Sequence, residues 1–146
     1  MSNPNERLIQ AATNGNLVEL RAVLDAGANI NNKDASGNTA LLWASAKGNL
    51  EIVQELLNRS ANLNIQDGEG FTALSWASSL GNSNVVSLLV NRGADRTIKD
   101  NFGKSAYDLA RTPEIKSILS SVSPAAGGSI YQHKLQKYVN KLNKII

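Results

Sequence analysis

The chain has no cysteine among its 146 residues, so neither a disulfide nor a thiolate metal site can form. That absence fits a reducing compartment. Histidine is nearly absent too. The single copy is His133, near the C-terminus, so the rest of the chain cannot assemble a Ser/His/Asp cluster. The longest apolar runs are far too short to span a bilayer, and the opening MSNPNERLIQ lacks the basic and apolar regions of a secretory signal. The glycines at 68 and 70 flank one glutamate, without the strand, spacing and lysine of a phosphate loop. Excess charge is missing from most of the chain: residues 1–123 hold 11 basic and 12 acidic side chains. Residues 124–146 hold Lys134, Lys137, Lys141 and Lys144 with no acid, so the net +3 comes from the tail. A nucleic-acid-binding body is not expected. These absences leave no basis for an enzyme, a cofactor or a metal.

What is present is a period. Gly15, Gly48 and Gly81 fall 33 residues apart, as do Asp34, Asp67 and Asp100, and Gly37, Gly70 and Gly103. A fixed period of this size marks a stacked solenoid, in which each unit is stabilised by its neighbours. In residues 38–70, Thr39 opens a helical pattern through Leu41 and Trp43, and Gly48 stops it in the left-handed conformation. Leu50, Ile52, Val53, Leu56 and Leu57 form the apolar stripe of a second helix. The following ANLNIQDGEG reads as a hairpin-like excursion, with Asp67 bonding back to its own turn. Residues 71–103 replay this order. The first unit, with Leu8, Ala11 and Ala12 preceded by a polar SNPNER, reads as one cap. The last unit reads as the other, its second helix shortened after Pro113. The three aspartates read as turn formers; stacking separates equivalent residues by about 10 Å, and nothing gathers them around one cation.

The openings TALLWAS and TALSWAS, the helices LEIVQELL and SNVVSLLV, and the loops GANINNKDASG, SANLNIQDGEG and GADRTIKDNFG resemble the ankyrin repeat. The resemblance covers about residues 5–122. Departures are local: Ala40 and Ala73 replace the family's proline, Leu42 and Ser75 its histidine, and Ser60 a glycine. The resemblance implies an all-α repeat solenoid of stacked helix pairs with protruding β-hairpin loops. Its units lie near residues 5–37, 38–70, 71–103 and 104–122, within a repeat domain spanning 1–122. It further implies a non-enzymatic protein-binding module, an adaptor, inhibitor or assembly factor of the cytoplasm or nucleus, or of a host cell if a pathogen makes it.

In that family, partners bind the concave face through loop tips and the exposed side of the first helix. Carried over by position, this face contains Lys33, Trp43, Gln66, Glu69, Phe71, Trp76, Lys99 and Phe102, with Asn38, Lys47 and Leu80 nearby. Trp43 and Trp76 occupy equivalent positions; each either fills a seam between repeats or shares in ligand contact. Phe71 and Phe102 are expected to be exposed. Beyond a linker at 123–129, residues 130–146 read as a basic amphipathic helix. Tyr131, Leu135, Tyr138, Leu142 and Ile145 form one stripe and the lysines an adjacent one. Such a helix could cover the end of the stack, meet a partner, join a second copy of the chain (which would make the protein a self-associating structural or regulatory subunit), or, least in keeping with its length, lie on a membrane surface.

Overall fold

The computed structural model describes residues 3–120 and residue 141. The expected linker and the helix at 130–146 lie outside the described residues, apart from Lys141. Within described residues 3–120, eight α-helices form four antiparallel pairs: α1 (Pro4–Asn14) with α2 (Leu17–Asp25), α3 (Ala40–Lys47) with α4 (Leu50–Asn58), α5 (Ala73–Ser79) with α6 (Ser83–Asn91), and α7 (Ala106–Leu109) with α8 (Pro113–Ser120). The odd-numbered helices make an inner row and the even-numbered ones an outer row, each packed on its neighbour in the next unit. Leu8, Leu20, Leu41, Ile52, Leu56, Leu74, Leu89 and Ile115 are fully buried, so one apolar core runs the length of the stack.

Local chemistry sets the helix limits. Thr39, Asn49, Thr72 and Ser105 each accept the backbone N–H three residues on, satisfying a donor that the first turn leaves free. Ser75, at the family's histidine position, closes a reciprocal capping box with Thr72. Leu42, at the other histidine position, is simply buried. Asn82 departs from its equivalents. Its side chain makes no cap bond, and its amide donates instead to the Ser45 and Ala46 carbonyls of the previous unit at 2.8 and 3.1 Å.

The expected β-hairpins are not formed. Among the described residues there is no β-strand, and the loops at 26–39, 59–72 and 92–105 are successions of turns. Short polar side chains take the amides that a hairpin ladder would pair. On the incoming arm, the N–H groups of Asn31, Asn64 and Thr97 donate to the side chains of Asn29, Asn62 and Asp95. At the tip, the Asp34 carboxylate accepts from the N–H groups of Ser36 and Asn38, and Asp67 and Asp100 repeat this two and four residues on. Two backbone bonds close each tip, such as Asp67 N–H to the Phe71 carbonyl and Gly70 N–H to the Asp67 carbonyl, both at 2.9 Å. The loops instead bond to one another. Gly68 N–H reaches the Ser36 carbonyl and Asn101 N–H the Glu69 carbonyl, both at 3.0 Å. The side chains of Asn31 and Asn64 accept from the backbones of Asn62 and Asp95 in the next unit.

Two further expectations change. The first helix takes in most of the polar opening, because Asn3 caps it and Pro4 suits its first turn. In the last unit the first helix is the short one, with four residues, whereas α8 has eight. Ala110 is already extended at ψ 121°, and Pro113 disfavours a helical Thr112.

On the outer row, Glu55 accepts from Arg59 at 2.8 Å and Arg21 at 3.0 Å, and Arg59 continues to Asp25 at 2.7 Å. The Arg59 hydrogen bond, then that of Arg21, holds the Glu55 carboxyl below its ordinary value. Ser60 is the one described non-glycine residue with positive φ, at 66°, where the equivalent Gly27 and Gly93 have 96° and 91°. Ser60→Gly is therefore expected to stabilise the chain by up to about 1 kcal/mol, the left-handed strain removed less the added freedom of the unfolded chain. A higher urea midpoint at unchanged slope would show it; an unchanged midpoint would mean that Ser60 bears no strain.

Candidate functional site

The loop aspartates do more than turn the chain. Asp34 spends one carboxylate oxygen on its own loop, and the other accepts the indole N–H of Trp43 at 2.8 Å. Asp67 does the same for Trp76 at 2.9 Å. Each bond ties a loop tip to the inner helix that follows it. The two half-buried indoles are thus held by fixed acceptors. Their N–H groups are already used, so what they present outward is ring surface.

Between the first and second loops and helices α3 and α5 lies a groove of about 410 Å³. Trp43, Trp76, Leu42, Ala46 and Leu80 supply its apolar lining, and Ser36, Asn38, Asp67, Glu69 and Lys47 its polar margin. Leu80 is 40% exposed. Among the described residues, no group of three or more His, Cys, Asp or Glu side chains could hold a metal, and no helix is long and apolar enough to cross a membrane.

A comparison with protein families matches residues 8–100 to ankyrin repeats in three copies. The chain belongs to the ankyrin repeat family. Ankyrin repeats are non-catalytic interaction modules, and this one is an all-α stack of that kind. A comparison with curated proteins found no match.

The eight positions that the ankyrin resemblance singled out fall in different surroundings. Trp43, Glu69 and Trp76 line the groove. Phe71 is half-buried, not exposed as expected: its ring packs on Trp76 with centroids 4.9 Å apart, tilted by 42°. Phe102 is 72% exposed, beyond the groove lining. Lys33, Gln66 and Lys99 are joined across repeats. Lys33 Nζ donates to the Gln66 carbonyl at 3.1 Å, and the Gln66 amide donates to the carbonyls of Gly70 and Lys99 at 3.0 and 3.1 Å. They keep the loops in register while remaining on the surface. Lys33 also borders a separate polar cleft at the first unit, with Asn5, Gln10 and Asn32.

The reading from sequence left Leu42, Ala46, Ser36 and Asp67 out of the site. A signal was available. Ala46 lies three residues after Trp43, as Leu80 lies four after Trp76, spacings that bring helical side chains together. The Asp-to-Trp interval of nine residues also occurs twice, although only the folded loop turns it into a contact.

Proposed function

We propose that this ankyrin stack binds a protein partner on its concave face, centred on the groove between the first and second loops. The carrying observation is the pair of tryptophans with their N–H groups already bonded. They give a rigid apolar floor, and little side-chain ordering is needed on binding. Leu80 adds exposed apolar surface, and Glu69 and Lys47 give polar recognition at the rim. Lys33, Gln66, Phe71, Lys99 and Phe102 extend the contact along the loops. Such a module holds its partner in one orientation and performs no chemistry on it.

The test is a comparison of partners retained by the full chain and by surface variants. Leu80→Glu puts a charge against the floor at an exposed position, so it should cost binding about 2 kcal/mol or more while leaving the melting temperature nearly unchanged. Lysines introduced at Glu51 and Gln54, on the outer row, should leave binding intact. A partner lost with the outer-row variant and kept with Leu80→Glu would move the site to the convex surface.

A further inference from the structure

The groove has a chemically matched occupant within the chain. Residues 124–146 carry four lysines and no acidic residue, against a slight acidic excess in residues 1–123. The same segment repeats Tyr131, Leu135, Tyr138, Leu142 and Ile145 at helical spacing. The groove offers the complement: the faces of Trp43 and Trp76 and exposed Leu80, bordered by Asp67 and Glu69, with Lys47 the one cation in its lining. A lysine over an indole face adds a cation–π attraction. The far end of the stack offers less. The exposed Tyr107 ring already carries the Lys116 ammonium at 5.6 Å from its centroid.

Position favours the groove as well. Arg96 Nη1 donates to the Leu119 carbonyl at 2.7 Å, so the last described turn of α8 lies beside the third loop. The seven residues of the expected linker, 123–129, can span up to about 25 Å. The groove lies about two repeat spacings back, or roughly 20 Å at the usual distance between packed helices. A tether of this length keeps the segment at a local concentration of about a millimolar, so modest affinity suffices.

We infer that residues 130–146 lie across the concave groove of the same molecule and compete there with the partner. This rests on the reading of the groove as a partner site. The stack is then self-masked, and a partner must displace the basic tail or be met after something else has drawn it away.

Trp43 and Trp76 are the only tryptophans and both line the groove, so intrinsic fluorescence reports this site alone. Acrylamide quenching is to be measured on the full chain, on a Leu135→Glu/Leu142→Glu variant and on a Lys137→Glu/Lys141→Glu variant. Covering half-exposed indoles roughly halves their accessible ring surface, so both variants should be quenched about twice as readily. A synthetic peptide of residues 130–146 added to either variant should restore protection. The charge variant keeps the test decisive if the apolar variant fails to fold. Equal quenching of the wild type and the folded charge variant would overturn the inference. So would wild-type protection that fades on dilution, which would assign the segment to a second copy of the chain. No partner enters this experiment, so its failure leaves the partner reading standing, and loss of that reading would not alter the quenching.

Discussion

Gly70→Ala is expected to lower the stability of the chain by about 2–4 kcal/mol, a large part of what a stack this short possesses. Two costs combine. Gly70 sits at φ +87°, where a side chain meets its own backbone at a cost of roughly 1–2 kcal/mol. A Cβ there would also stand 2.8 Å from the Asn101 nitrogen and 2.9 Å from the Asp100 Cα, both backbone atoms of the next loop. That loop cannot retreat freely, because Asn101 N–H is bonded to the Glu69 carbonyl and Asp100 is buried. Gly103 is the built-in control. It holds a similar φ of +78°, yet nothing lies within 4 Å of its Cβ position, since no described loop follows it. Gly103→Ala should therefore cost only the strain, about 1 kcal/mol. Urea unfolding of the two variants separates the terms. Equal losses would mean that the third loop yields to the added methyl and that the close stacking of loops contributes little.

The repeat was legible in the sequence because its determinants are local and recur in register. Gly48 and Gly81 adopt the left-handed conformation at helix ends, and Thr39 and Thr72 cap the helices they precede. The apolar stripe of Leu50–Asn58 likewise needs only helical periodicity to be read. The loops were misread for a physical reason. Turn-forming residues announce a reversal of the chain, but the same asparagines and aspartates then consume the amides that strands would pair. Composition cannot show which of the two outcomes prevails. Phe71 was misjudged because its burial depends on Trp76, a neighbour brought to it by folding. The groove was half legible. Its tryptophans stood out as the only two, while Leu42 and Ala46 look like any core residue of an inner helix.

The bond from loop aspartate to tryptophan gives the other large effect. Asp67→Asn should cost about 1.5–3 kcal/mol, the usual worth of a hydrogen bond to a charged group. An asparagine suits the turn, since its carbonyl oxygen can still accept the N–H groups of Glu69 and Phe71. Its amide nitrogen, however, would then face the Trp76 indole N–H, donor against donor. Asp34→Asn should behave alike through Trp43. Asp100 supplies the comparison: its carboxylate serves the Phe102 and Lys104 amides, but the residue nine positions on is Leu109, which has no N–H to give from its side chain. Asp100→Asn should therefore be nearly silent in stability. The Asp67 variant should also shift tryptophan emission to longer wavelength as Trp76 loosens, and weaken the partner through a less rigid groove floor. If the Asp67 and Asp100 variants unfold at the same urea concentration, the indole bond adds nothing beyond the turn. The tryptophans would then be positioned by packing alone, with Phe71 against Trp76 as the contact to remove next.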